Sequence, residues 1–167
     1  MSGAVGGAVG RLRTARLVLR PWTMPEANAV LVGQRLRGWS EDFPDADSAE
    51  QAAWALDALP DPFGFRLVVE RSSNLVVGSV GLEGSHENGQ AELFFALVPS
   101  RRGRGYATEA VRALVAHAFE VSEIAEVIAM VELANAPSLR VLERVGFAHN
   151  GFEPSGGVTI FELRRPA

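Results

Sequence analysis

An amphipathic helix that starts directly after a glycine-rich loop is the feature that most constrains the fold. Apolar residues recur at intervals of three and four along it, at Ala107, Ala110, Val111, Leu114, Val115, Ala118 and Phe119. This period places them on one face of an α-helix between Gly105 and Phe119, and that face must be buried against another layer. The apolar run "AELFFALV" before the loop is typical of a buried strand. A strand, a loop and a helix in this order indicate an α/β domain.

Further strands are predicted on both sides of this unit. Leu17 and Leu19 alternate with Arg16 and Arg20 in "ARLVLRPW", which predicts a strand. Two apolar runs separated by the turn-forming "RSSN" predict a pair of strands, and Asn88-Gly89 is a hairpin signal before "AELFFALV". The runs "AEVIAMVEL" and "GVTIFELR" predict two more strands, and we expect one further strand near the C-terminus. These strands are predicted to form one mixed sheet.

Three further helices are predicted from periodicity and capping signals. The first covers residues 26–37, and the second covers residues 48–59 with Ser48 as its N-cap and Pro60 as its terminator. The third lies within "NAPSLRVLERVGF", where Asn135 is the predicted N-cap and a glycine follows the last apolar residue.

The length and composition fit one soluble domain. A chain of 167 residues with 47% hydrophobic residues can bury a sizeable core. The N-terminal "MSGAVGGAVG" has neither a charged segment nor a long apolar core, so we expect a flexible tail at residues 1–12 rather than a signal peptide. The domain is then predicted to span residues 13–167. No segment approaches about 18 consecutive apolar residues, so we expect a cytoplasmic protein without a membrane span.

The residue types present exclude several kinds of chemistry. The chain has no cysteine, which excludes disulfides, thiolate metal sites and cysteine nucleophiles. All 16 basic residues are arginine, so no lysine can act as a Schiff base, a general base or a P-loop ligand. His86, His117 and His149 lie far apart without metal-ligand spacing, so no metal centre is predicted. A net charge of −4 argues against non-specific binding of nucleic acid.

The loop in "VPSRRGRGYATEA" has the properties of an anion site. It joins a strand to the start of a helix, where backbone N–H groups without helical partners and the positive end of the helix dipole favour anions. Gly103 and Gly105 allow close approach of the backbone, and Arg101, Arg102 and Arg104 add positive charge. A pyrophosphate would fit this loop.

Two common phosphate motifs do not match the loop. A Walker loop needs lysine, and the dinucleotide fingerprint would need glycine where Thr108 stands. The pattern [QR]-x-x-G-x-[GA] is met by Arg102, Gly105 and Ala107.

With two other motifs, this pattern resembles the GCN5-related N-acetyltransferases, the GNAT superfamily. The subgroup that it resembles contains the ribosomal-protein N-terminal (alanine/serine) acetyltransferases. "TARLVLRP" matches the opening T-x-R-L-x-L-R-P strand, "GRGYATEA" matches the loop and helix start, and "NAPSLRVLERVGF" matches N-x-x-S-x-x-v-l-e-k-x-G-F. The resemblance runs from about Arg13 to Arg164. It implies a mixed, mostly antiparallel sheet of about six to seven strands, about four flanking helices and splayed central strands.

The resemblance implies that acetyl-CoA, or a related acyl-CoA, is the cosubstrate. Its pyrophosphate would lie on the backbone N–H groups of the loop, and its pantetheine arm would pair with the end of "AELFFALV". Asn135 would contact the cofactor arm, although its role as a helix N-cap is an equal alternative. The expected cofactor-binding residues are Leu97, Val98, Arg102, Gly103, Arg104, Gly105, Tyr106, Ala107, Thr108 and Asn135.

The resemblance also implies direct attack of an amine on the thioester, for which we name two catalytic candidates. Glu92 opens an otherwise apolar strand, where a half-buried carboxylate has a raised pKa and can act as a base; the alternative is a glutamate that faces water or an arginine. Ser138 matches the subgroup serine proposed to hydrogen-bond the thiol, and otherwise is a residue of the first helical turn. Many relatives place a tyrosine where this chain has Leu142. The oxyanion donor is expected to be a backbone N–H near Leu97 or Val98.

The acceptor pocket is expected in the loop between the first two helices. Glu41, Asp42, Asp45 and Asp47 could attract a cationic amine, and Trp39 and Phe43 could pack on its alkyl part. A solvated acidic loop is the alternative. The acceptor stays open among a protein N-terminus, a polyamine or aminoglycoside-type amine, and an amino acid or its conjugate.

Two other functions compete with an acetyltransferase. A binding module of the same fold could keep affinity for acyl-CoA and lack transfer, which the leucine at the tyrosine position suggests. An RNA-binding protein could use "RRGRG", but the negative net charge disfavours this, and no nucleic-acid partner is predicted. Homodimers are common among relatives, and the sequence alone does not decide the oligomeric state.

Overall fold

The computed structural model describes residues 10–58, 64–84 and 88–167. Within them the chain forms an α/β domain of eight strands and four helices, with a short 3-10 helix at Pro99–Arg101. The elements in chain order are β1 (Leu12–Arg13), β2 (Leu17–Pro21), α1 (Met24–Leu31), α2 (Ala46–Ala58), β3 (Arg66–Glu70), β4 (Leu75–Glu83), β5 (Gln90–Leu97), α3 (Tyr106–Val121), β6 (Glu126–Glu132), α4 (Ala136–Val145), β7 (Ala148–Phe152) and β8 (Val158–Arg164).

All eight strands form one mixed sheet in the order β1-β2-β3-β4-β5-β6-β8-β7. Every neighbouring pair is antiparallel except β5 and β6, which are parallel. These two strands pair only from Gln90 to Glu92, opposite Glu126 to Ile128, and then part. The mixed, mostly antiparallel sheet and the splayed central strands are confirmed. The sheet has more strands than predicted because the two-residue β1 adds to its edge.

Helices cover both faces of the sheet. On one face, Ser79 of β4 donates to Gln51 of α2 over 2.7 Å between Oγ and Oε1. On the other face, α3 packs on β2, β4 and β5 and buries the predicted apolar stripe. The amphipathic pattern after Gly105 therefore predicted both the helix and the side that it buries.

Two predicted helices have different limits in the structure. The first ends at Leu31 rather than residue 37, because Val32 leaves the helical conformation and Gly33 has a φ of 71°. The second begins at Ala46, and Asp45 Oδ1 accepts from the Ser48 N–H at 2.9 Å, so the N-cap role predicted for Ser48 belongs to Asp45. The predicted terminator, residue 60, lies outside the described residues.

The chain ends show one further difference from the prediction. Leu12 was assigned to a flexible tail, but it pairs with Leu19 in β1 and β2, so strand pairing begins within the predicted tail. Residues 1–9 lie outside the described residues. Among the helices that the structure describes, none is long and apolar enough to cross a membrane.

Candidate functional site

A cleft of about 490 Å³ lies where β5 ends and α3 and α4 begin. The glycine-rich loop and α4 form much of its wall, and α2 contributes one acidic residue. The lining residues are Asp47, Phe95, Ala96, Leu97, Arg102, Gly103, Gly105, Tyr106, Ala107, Thr108, Asn135, Pro137, Ser138, Arg140, Val141 and Arg144. The structure thus brings together most residues of the predicted cofactor site, which lie on three separate parts of the chain.

The N-terminus of α3 opens onto this cleft. Gly105 is the N-cap in the left-handed conformation, with a φ of 80°, and no side chain caps the helix. The first intrahelical bond runs from the Glu109 N–H to the Gly105 carbonyl at 3.1 Å. The N–H groups of the three residues between them therefore have no helical partner, and together with the helix dipole they form an anion site.

Thr108 adds an unpaired hydroxyl to the same wall. Its Oγ1 is buried and has no hydrogen-bond partner in the part of the chain that the structure describes. A buried polar group without a partner costs free energy, which a bound polar ligand would recover. The residues of this wall therefore fit a phosphate-containing ligand.

A buried carboxylate, Glu70 at the end of β3, holds the loop from below. Its oxygens accept from Tyr106 Oη at 2.9 Å, from Arg101 Nε at 3.1 Å and from Ser73 Oγ at 2.6 Å. Burial raises the pKa of Glu70, but these hydrogen bonds and the Arg101 charge outweigh it and lower the pKa. Arg104 Nη1 also lies 3.7 Å from Glu70. Arg101 and Arg104 thus hold the loop in place, and neither lines the cleft. Arg104 was predicted to bind the cofactor, but its guanidinium faces Glu70.

A second carboxylate, Glu109 of α3, joins the loop to the turn between β1 and β2. It accepts from Thr14 Oγ1 at 2.6 Å and from the Arg16 backbone N–H and Nε at 2.8 Å each. The Arg16 guanidinium donates to the Arg104 carbonyl at 2.8 Å and lies 4.6 Å from the centre of the Tyr106 ring. The motifs "TARLVLRP" and "GRGYATEA" are therefore parts of one structure. Sequence reasoning used both motifs and missed the bonds between their residues.

The end of β5 faces the gap that β6 leaves. The Val98 N–H donates to the Val77 carbonyl of β4 at 2.9 Å. Because successive backbone groups of a strand point to opposite sides, the Leu97 N–H points away from β4 and toward the gap. Arg102 Nε donates to the Leu97 carbonyl at 2.9 Å. Of the two predicted backbone donors, Leu97 faces the gap, and the prediction for Val98 is wrong because its N–H is already bonded.

Glu92 lies at the last position where β5 and β6 pair. Glu92 and Ala96 are four residues apart in β5, so their side chains lie on the same face of the sheet. Ala96 pairs with Ser79, which contacts α2, so this is the face that α2 covers. The side chain is half-buried, and no hydrogen-bond partner is found for it among the described residues. Burial raises its pKa, and the nearby carboxylates of Glu83 and Glu153 raise the pKa further.

α4 brings both predicted and unpredicted residues to the cleft. Asn135 is its N-cap, as predicted, because Asn135 Oδ1 accepts from the Ser138 N–H at 3.2 Å. Ser138 lines the cleft, and Leu142 is fully buried in the core. Arg140 and Arg144 also line the cleft and were not predicted. They follow Pro137 by three and seven residues, a helical spacing that could have identified them.

Trp39, Glu41, Asp42 and Phe43, predicted for the acceptor, lie between α1 and α2 and do not line the cleft. Asp47, predicted with them, lies in the first turn of α2 and does line it. Phe43 is fully buried, with its ring centre 5.1 Å from that of Trp39, which is 6% exposed. The predicted packing of these rings on an acceptor is wrong, because they belong to the core. Burial raises the pKa of Asp42, but hydrogen bonds from Ser40 and Ser100 outweigh it and lower the pKa to about 2. Of these four, only Glu41 is exposed to solvent, and its contact with an acceptor amine stays a prediction.

No group of three or more histidine, aspartate or glutamate side chains suited to a metal ion is found among the described residues.

Comparisons with known proteins agree on one family. The family model "Acetyltransferase (GNAT) domain" matches residues 16–148. The uncharacterized N-acetyltransferase p20 of Bacillus licheniformis is 31% identical over 154 residues, which cover 84% of this chain and 83% of the relative.

Two solved structures show the same fold. An acetyltransferase of the GNAT family from Bacillus anthracis has a TM-score of 0.70 at 18% identity, covering 93% of this chain and 99% of that chain. RimL, a ribosomal L7/L12 alpha-N-protein acetyltransferase in complex with coenzyme A, also has a TM-score of 0.70 at 18% identity, covering 93% of this chain and 98% of that chain.

Proposed function

This chain belongs to the GNAT family of N-acetyltransferases, which use acetyl-CoA, and we propose that it transfers the acetyl group to a primary amine by direct attack on the thioester. The amine belongs to a protein N-terminus or to a small molecule. The observation that carries the proposal is the gap between β5 and β6. Glu92 lies at the last position where these strands pair, and the cleft, which Glu92 does not line, opens where β5 ends. Residues 13–167 would act as one domain.

The cofactor side of the site would hold the pyrophosphate of acetyl-CoA. Tyr106, Ala107 and Thr108 offer backbone N–H groups without helical partners, and Thr108 adds its buried hydroxyl. Arg102 contributes the one guanidinium of the loop that lines the cleft. Gly103, with a φ of 74°, lets the backbone turn toward the ligand. When bound, acetyl-CoA supplies an activated acetyl group.

The amine must be neutral to attack the thioester. For a lysine-like amine, deprotonation at pH 7 costs about 4–5 kcal/mol, whereas an N-terminal α-amine costs about 1 kcal/mol. Glu92 would take this proton, directly or through a water, and its raised pKa, which makes it a stronger base than an ordinary glutamate, supports this role. It lies on the α2 face, so the amine would approach from the side of the sheet that carries α2.

Backbone and α4 groups would stabilise the other charges of the reaction. The Leu97 N–H, which faces the gap, would donate to the carbonyl oxygen as negative charge develops there. Ser138 would hydrogen-bond the sulfur as the C–S bond breaks. Asn135 uses only Oδ1 for its cap, so its Nδ2 can donate to the cofactor arm. Leu142 offers no proton, and a thiol pKa near 8.5 makes a strong acid unnecessary.

The experiment that tests this function measures release of the CoA thiol from acetyl-CoA over a panel of amines. With the best acceptor, we expect Glu92→Gln to lower kcat/KM by about 10²- to 10⁴-fold, the range for loss of a general base. We expect Ser138→Ala to lower kcat by about tenfold, as for loss of one hydrogen bond to a charged group. Glu143→Gln, an exposed change of equal charge on α4, should leave both constants unchanged.

Two results would contradict the proposal. Tight binding of CoA with no thiol release for any amine would favour the binding module. Full activity of Glu92→Gln at every pH would remove Glu92 as the base.

A further inference from the structure

Two of the arginines in the cleft lie one helical turn apart on α4. Arg140 and Arg144 are four residues apart, which corresponds to about 6 Å along the helix axis. They line the cleft together with Pro137 and Val141, while Leu142 faces the core. Both arginine residues are exposed. This side of α4 therefore presents two cations to the cleft, opposite the loop that precedes α3.

Neither guanidinium has an acidic partner among the residues that the structure describes. Arg112 of α3 comes near, but it is also a cation, and it donates to the Arg144 carbonyl at 2.9 Å. Two like charges at positions i and i+4 of a helix repel each other and destabilise it. A bound dianion between Arg140 and Arg144 would remove this repulsion.

CoA carries two separate groups of negative charge, a pyrophosphate and a 3′-phosphate on the ribose. The proposed function places the pyrophosphate on the N-terminus of α3 beside Arg102, and the inference rests on that placement. The α4 arginines are then left for the second group. A phosphate monoester at pH 7 carries a charge of about −1.5 to −2 on three acceptor oxygens. Guanidinium groups match such oxygens with two parallel hydrogen bonds each.

We propose that Arg140 and Arg144 bind the 3′-phosphate of CoA and make the enzyme select CoA over 3′-dephospho-CoA. Arg101 and Arg104 of the loop are not available for this role, because their guanidinium groups pair with Glu70. They act on binding and lie outside the machinery for proton transfer.

The test measures dissociation constants by isothermal titration calorimetry, with CoA and with 3′-dephospho-CoA as ligands. Neither ligand carries an acetyl group, so the readout is independent of turnover and of the acceptor. We expect Arg140→Gln and Arg144→Gln each to weaken CoA binding by about tenfold and binding of 3′-dephospho-CoA by less than about twofold. The double variant should bind the two ligands about equally.

Two controls make the comparison specific. Arg164→Gln removes the same charge from β8, where the side chain is 73% exposed and does not line the cleft, so it should preserve selectivity. The double variant Arg140→Lys and Arg144→Lys keeps the charges and should recover part of the selectivity. Thermal melts check that each variant is folded.

Three results would overturn the inference. If the wild-type protein binds both ligands equally, the 3′-phosphate is not recognised, and the proposed function stands. If the glutamine variants weaken both ligands equally, the arginines bind the pyrophosphate instead. If neither ligand binds, both the inference and the proposed cofactor site fail.

Discussion

The carboxylates on the two sides of the site have pKa values shifted in opposite directions. On the cofactor side, Glu70 and Glu109 each accept several hydrogen bonds, and their pKa values are lowered even though burial alone would raise them. On the acceptor side, Glu92 has two carboxylate neighbours and no hydrogen-bond partner among the described residues, and its pKa is raised. The same residue type is therefore structural on one side of the sheet, while on the other side its raised pKa supports the proposed role in proton transfer.

This difference agrees with the tasks that the proposed function gives to each side. The cofactor side must hold backbone N–H groups in a fixed arrangement before acetyl-CoA arrives, and bonds to Glu70 and Glu109 fix the loop from two directions. The acceptor side must leave a carboxylate able to gain a proton. Removing one carboxylate at a time from either side therefore separates the rigidity of the loop from the reactivity of the base.

The largest effect on stability is expected at Glu70. In Glu70→Gln, the Arg101 guanidinium and the Tyr106 hydroxyl lose the anionic acceptor to which they donate in the wild-type protein. We expect the free energy of unfolding to fall by about 2–3 kcal/mol, as measured by urea denaturation, because buried donors to a charged group lose their partner. The variant should also bind CoA more weakly because the loop is no longer braced.

Glu143→Gln is the matched control for this change, since Glu143 is exposed and on α4. It should alter the free energy of unfolding by less than about 0.5 kcal/mol. If Glu70→Gln had an effect as small as this control, the bonds around Glu70 would not hold the loop.

A smaller effect is expected at Glu109. Glu109→Gln weakens the bonds to Thr14 and Arg16, and Arg16 is partly exposed, so water screens the ion pair. We expect the free energy of unfolding to fall by about 1 kcal/mol in the same denaturation experiment. A double-mutant cycle with Arg16→Gln should give a coupling energy of about 0.5–1 kcal/mol. A coupling of zero would show that the pair of Arg16 and Glu109 does not stabilise the contact between the two motifs.

The parts of the fold that could be predicted are those with local signals. The stripe from Ala107 to Phe119 needs only the helical period, and Asn135 needs only its place before α4, so both predictions are confirmed. The end of α1 could not be predicted from periodicity, because Val32 and Gly33 leave the helix while apolar residues continue beyond them. At the start of α2, Asp45 and Ser48 are both suitable N-cap residues, and Asp45 is the N-cap in the structure.

In the site, the sequence indicated most of the residues that line the cleft but not which way each side chain faces. Trp39 and Phe43 look like surface aromatics because acidic residues surround them, yet they pack against each other in the core. Whether the Val98 N–H is hydrogen-bonded depends on the register of β4 and β5. Arg101 and Arg104 pair with Glu70, which is 31 residues from Arg101 in the sequence. Such facts arise from tertiary packing, which a local pattern does not contain.

The smallest effect on stability is expected at Glu92, and its sign is opposite to the others. The folded state raises the pKa of Glu92, so it binds the proton more tightly than the unfolded chain does. This contributes stability at pH values below the unfolded pKa, and that contribution is lost as the pH rises through the folded pKa. At pH 8 the wild-type protein therefore holds an unfavourable charge, which Glu92→Gln removes. We expect the variant to be more stable than wild type at pH 8 by less than about 1 kcal/mol, since the half-exposed side chain is partly screened by water.

Measured at pH 4, the same pair of proteins should show almost no difference, because Glu92 is then largely protonated in both states. Glu70→Gln should follow the opposite course, because a lowered pKa stabilises the folded state above the unfolded pKa and this contribution is lost as the pH falls. Thermal melts of the two variants and of wild type across this pH range therefore give curves that diverge in opposite directions. If Glu92→Gln were less stable than wild type at pH 8, Glu92 would be bound by a partner in the folded state, and its assignment as a poised base would have to be withdrawn.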